Sequence, residues 1–168
     1  MIELTSLHEA AHAVLSYLSS YHFLIGEIRL TSDSTGETFV TLSRKKLLAE
    51  GKEPSPEIAY DLEVIEDAAI IFYAGLEAER KYCRENSIEV DESHSINDYN
   101  YVDNLIEKSN QEFKLEKNTL ISISREAVIK YWEPINEIAR LLRESENNTI
   151  DAVSVIETLD NGFGRNSF

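Results

Sequence analysis

Leu7, Ala11, Val14, Leu15 and Leu18 recur at helical spacing and commit the opening of the chain, about residues 4–20, to a helix with one apolar face. His8-Glu9-Ala10-Ala11-His12 lies inside that helix. Residues four apart sit on one side of a helix about one turn apart, so two imidazoles at this spacing can meet a single ion. Such nitrogen ligands suit zinc. Glu9 is displaced around the helix, where its carboxylate can take a proton from a zinc-acidified water without being a ligand. A plainer reading stands beside this one. Ser6-Leu7-His8-Glu9 also fits a capping box, in which Glu9 caps the helix and the two histidines bind nothing.

The rest of the chain reads as mostly helical. Residues 24–30 and 38–42 have strand character and flank the turn-rich residues 32–36, which predicts a hairpin. Ser55-Pro56 has the form of a helix start, with Leu62, Ile65, Ala69, Phe72, Tyr73 and Leu76 keeping helical spacing down to about Cys83. Residues 84–95 have no apolar period and read as a loop. Ser95 resembles an N-cap, with Asp98 three residues on and Tyr99, Val102, Leu105 and Ile106 as an apolar stripe. A further helix is predicted over about residues 113–132, with Pro134 bending or restarting it. Asn148 or Thr149 caps a last helix closed by Gly162. The expected architecture is one domain, residues 1–168, mainly α in an α+β arrangement, with a small β-hairpin after the first helix.

Charge and composition narrow the partners. The 31 acidic and 16 basic residues leave a net charge of −15, which repels phosphate backbones and anionic membrane surfaces alike. No window reaches the eighteen or so apolar residues a membrane span needs, and residues 1–5 lack the form of a secretory signal. With Cys83 alone no internal disulfide forms, so a reducing, cytoplasmic setting is expected.

A catalytic zinc needs a third protein ligand and an open position. Asp98, at the start of a helix after a loop, can point at a metal on a neighbouring element. An aspartate there also meets the helix dipole favourably with no metal involved. Glu79 is the competing carboxylate, and on a glutamate-rich helix it reads equally as a solvated residue or as a partner behind a ligand.

A family resemblance bears on this choice. Leu7-His8-Glu9-Ala10-Ala11-His12-Ala13-Val14 resembles the zinc helix of FtsH-type AAA protease peptidase domains. Gly36-Glu37-Thr38 falls where that family has a glycine-led strand. Ala74-Gly75-Leu76-Glu77-Ala78-Glu79 is similar to its G-G-R-x-A-E segment. Ser95-Ile96-Asn97-Asp98-Tyr99 resembles its S-N-D-L segment, whose aspartate is the third zinc ligand. Residues 135–142, with Thr149-Ile150, are similar to its final helices. The resemblance implies a zincin-like helical metallopeptidase domain holding Zn2+ through His8, His12 and Asp98, with Glu9 as general base. Glu79 stays open as the alternative ligand. Ala11, Ala74, Leu76 and Tyr99 depart from the family's residues; none removes a ligand, but all bear on substrate binding.

The chain is expected to stand alone, without the family's ATPase or membrane segments, since no G-x-x-x-x-G-K-[ST] loop occurs. Its substrate is then a flexible peptide or an unfolded protein, which a protein partner can supply, and an oligomer is compatible with this. The leading expectation is a zinc metallopeptidase of endopeptidase type. The alternatives are a non-catalytic zinc-binding regulatory or interaction module, and a helical interaction protein with an accidental motif. His94 is expected to line the site or to be a solvated loop residue, His22 to be structural, Cys83 to be a buried thiol and Gly75 to allow a close helix contact. The strand at residues 38–42 can offer an edge to a peptide backbone.

Overall fold

The computed structural model describes residues 1–109 and 116–163. Seven helices and three strands occur among them: α1 (Ile2–Leu18), β1 (His22–Leu30), β2 (Gly36–Leu42), α2 (Arg44–Ala49), α3 (Leu62–Asn86), α4 (Ile96–Lys108), α5 (Lys117–Lys130), α6 (Trp132–Glu144), β3 (Thr149–Asp151) and α7 (Ala152–Gly162). The fold is mainly helical with one small antiparallel sheet, as expected.

Helix α1 is the axis of the molecule. It was expected to bury one face, but every residue from Thr5 to Ser16 is buried. Ser6, Ala10, Ala11, Ala13 and Ser16 are small, so α3, α6 and the sheet can all close on it. Leu7, Val14, Ile71, Ile135, Ile138 and Leu142 fill the shared core, each adding about 1.5–3 kcal/mol on burial. The capping box does not form. Ser6 sits within the helix, and its Oγ donates to the Glu3 carbonyl at 2.8 Å.

Strands β1 and β2 form the predicted hairpin, paired from His22↔Leu42 to Leu30↔Gly36. The register shifts between Ile25 and Ile28, where Gly26 has φ +66°, a bulge conformation that glycine adopts without cost. β3 was not expected. It pairs antiparallel with β1 at Ile28↔Ile150, giving the order β2-β1-β3 and leaving β2 with a free edge among the described residues.

Several helix ends differ from expectation. α3 starts at Leu62 and not at Pro56, because the Asp61 side chain accepts the Glu63 N–H. It runs past Cys83 to Asn86, into the stretch read as loop. Ser95 makes no side-chain cap at α4. The last helix is capped by Asp151 and not by Asn148 or Thr149. Phe113 lies outside the described residues; α5 begins at Lys117, breaks at Tyr131, and Pro134 falls in the first turn of α6. A second cluster of Ala69, Tyr73, Val102 and Leu120 locks α4 and α5 onto α3, which sets where Asp98 stands. No described helix is long and apolar enough to cross a membrane.

Candidate metal centre

Helix α1 delivers His8, Glu9 and His12 into one cleft, and α4 brings Asp98 to meet them. All three residues of the helix motif are buried, at 7%, 6% and 4% exposure. Asp98 Oδ2 lies 3.0 Å from His8 Nε2 and 3.5 Å from His12 Nε2. One ligand atom from each of His8, His12 and Asp98 lies within 4.8 Å of the others. The imidazole planes cross at 81° with centroids 4.6 Å apart, so the rings differ in plane while both Nε2 atoms face the same oxygen.

Both rings are oriented from behind. His8 Nδ1 donates to Glu79 Oε1 at 2.7 Å, and His12 Nδ1 donates to the Ile71 carbonyl at 2.9 Å. A proton held on Nδ1 leaves Nε2 as the atom available to a metal. Glu79 is therefore placed behind His8 and Asp98 in front of it, which separates the two carboxylates left open by the sequence. Glu79 is not solvated, at 3% exposure, and neither is Glu77, at 1%. Glu77 is clamped by Arg80 at 2.5 Å and by Arg125 at 2.7 Å, tying α3 to α5.

The donor set of His8, His12 and Asp98 could hold a metal ion, and its spacing can be compared with that of a tetrahedral site. Ligand bonds of about 2.0–2.1 Å in a tetrahedron put ligand atoms about 3.3 Å apart, and the two imidazole–carboxylate separations of 3.0 and 3.5 Å bracket that spacing. Burial by itself would lower the His8 pKa, but hydrogen bonds to Asp98 and Glu79 outweigh it and raise the group to about 10. Burial would likewise raise Asp98, yet His12 and His8 hold it well below the usual carboxylate range. Without an ion, a protonated His8 bridges two carboxylates; a metal takes the place of that proton.

Two glycines make room. A Cβ on Gly75 would fall 2.5 Å from His8 Cε1 and Nε2, so only glycine lets α3 pass this close to the ring. A Cβ on Gly36 would fall 2.6 Å from Glu9 Cγ. The start of β2 thus lies on Glu9, and Thr38 Oγ1 donates to Glu9 Oε2 at 2.6 Å.

The cleft encloses about 650 Å³. Its far wall is the β2 segment from Gly36 to Phe39, with Phe72 and His94 on the other side. His94 stands 3.8 Å from Asp91, beyond hydrogen-bond reach. Ala11 packs into the core and does not line the cleft, so its extra methyl does not crowd the site. His22 is structural, its Nδ1 donating to Asp67 at 2.6 Å. Sequence reading missed two contributors. Thr38 was visible in the Gly36-Glu37-Thr38 segment, but nothing marked it as the partner of Glu9. The Ile71 carbonyl has no side-chain signal at all. Comparison with protein-family models, with curated proteins and with solved structures finds no match for this chain.

Proposed function

We propose that this chain is a zinc-dependent peptidase, with His8, His12 and Asp98 as metal ligands and Glu9 as general base. The observation carrying this reading is the convergence of two Nε2 atoms on Asp98 Oδ2 while both Nδ1 atoms are engaged behind. A bound zinc ion supplies Lewis acidity, which polarises an amide carbonyl and acidifies water. The chain supplies the rest. Thr38 holds Glu9 Oε2, which leaves Oε1 to accept a proton from the attacking water and return it to the leaving amine nitrogen. Asp98 adds negative charge opposite the two neutral imidazoles. The free edge of β2 borders the cleft and suits an extended peptide backbone. The order of the motifs, resembling the FtsH-type peptidase domain, supports a zincin-like fold and a flexible or unfolded substrate.

The test is metal analysis together with cleavage of a casein-type unfolded substrate. The expected outcome is one zinc per chain in the wild type. Glu9→Gln is expected to keep its zinc and lose at least about a hundredfold in kcat. Zinc retained at one per chain with no cleavage by the wild type would favour the alternative, a non-catalytic zinc-binding regulatory or interaction module.

A further inference from the structure

Strand β2 passes two cavities in succession. Gly36 to Phe39 line the metal cleft; Val40 to Leu42 line a second, smaller cavity of about 160 Å³. Phe72 belongs to the wall of the first and Tyr101 to the wall of the second, and their rings lie 4.6 Å apart. This aromatic pair joins the walls of two cavities that share strand β2.

The two cavities differ in chemistry. Glu9, Glu37, Glu79 and Asp98 line the first. No aspartate, glutamate, lysine or arginine lines the second among the described residues. Its floor is Val64 and Ala68, each 1% exposed, and its rim is the exposed Thr41 and Tyr101. His22 also lines it, with Nδ1 already bound to Asp67. A cavity with exposed rim residues, lined by three residues of an edge strand, with an apolar floor and room for one side chain, has the form of a subsite.

We infer that the second cavity is a specificity subsite taking an apolar side chain of a peptide paired along β2. The inference rests on the peptidase reading and adds the substrate class. Residues advance about 3.3 Å along a strand, so Thr38 and Thr41 are separated by about 10 Å. The side chain seated in the second cavity is therefore about three residues from the bond at the metal centre. Antiparallel pairing is the slightly more stable arrangement, and it runs the peptide against β2. The apolar residue then lies on the N-terminal side of the cleaved bond.

The experiment uses two fluorogenic peptides identical except for leucine or glycine at that position. Wild-type protein loaded with zinc is expected to cleave the leucine peptide with at least about tenfold higher kcat/KM, the discrimination an apolar pocket supplies. Ala59→Phe, which places a ring in the cavity wall, is expected to erase that preference. The same pair is offered to zinc-loaded Glu9→Gln, with binding read by fluorescence anisotropy. A leucine preference in binding without wild-type cleavage leaves the subsite standing and removes the peptidase reading. Cleavage without a leucine preference, or a preference that survives Ala59→Phe, overturns the subsite. Neither cleavage nor preferential binding overturns both.

Discussion

Buried histidine–carboxylate contacts occur midway along α1 and just beyond its C-terminal end, and they differ in a way that separates a candidate metal site from a structural one. Midway along the helix, His8 and His12 present two Nε2 atoms to a single Asp98 oxygen, with their Nδ1 atoms occupied behind. Just beyond the C-terminal end, His22 donates to Asp67, whose carboxylate also receives the Ser19 hydroxyl at 2.5 Å and the Ser20 N–H at 3.3 Å. Lys46 stands close by, its ammonium bonded to the carbonyls of Ser16, Tyr17, Ser19 and His22, so it covers the C-terminal carbonyls of α1. The Asp67 carboxylate is thus saturated by the protein itself, and one imidazole faces it. Burial and pairing are common to both clusters; convergence of two imidazole Nε2 atoms on one point belongs to the first alone.

The largest expected effect follows from removing that point. Asp98→Ala is expected to reduce zinc from one per chain to near zero, while Asp67→Asn keeps the full complement by the same metal analysis. Equal zinc loss in both variants would break the comparison. Glu79→Gln comes next, because it weakens the hold on His8 without removing a ligand. Competition with a chromogenic chelator is expected to show zinc affinity lower by about 10–100-fold, whereas complete loss would return Glu79 to the ligand set.

Acidity sharpens the contrast further. Zinc must displace the His8 proton, held up to about 10, so affinity rises with pH by about tenfold per unit through the neutral range. The sign for the ion-free chain is opposite. A raised imidazole pKa stabilises the fold fully below about 6.5, and this stabilisation is lost as pH rises through about 10. Thermal melts of the zinc-free and zinc-loaded chain across this window are expected to diverge as pH increases. The smallest effect is on the structural side. Asp67→Asn is expected to lower stability by about 1–3 kcal/mol in urea titration, from the weakened bonds to His22 and Ser19.

Much of this was readable from the residues. The pairing of His8 with His12 is a consequence of helical pitch, and β1, β2 and α3 follow from apolar period and turn residues. β3 escaped because three residues, Thr149–Asp151, are too few to show alternation. The start of α3 was misplaced because Ser55-Pro56 and Asp61 both carry start signals, and only Asp61 makes the bond. The full burial of α1 was missed because alanine and serine carry little periodic signal, although their small size is what admits neighbours on every side.

What the amino-acid order determined alone is local: two imidazoles one turn apart, a carboxylate beside them, and a chain rich enough in apolar helix to surround them. Which distant carboxylate joins them is a tertiary matter. Glu79 and Asp98 both reach His8, one at Nδ1 and the other at Nε2, and a ring nitrogen's role depends on which helix passes on which side. That is decided by how closely α3 approaches at Gly75 and where the Tyr73–Val102 cluster sets α4. Packing between segments some ninety residues apart in sequence leaves no trace in local spacing.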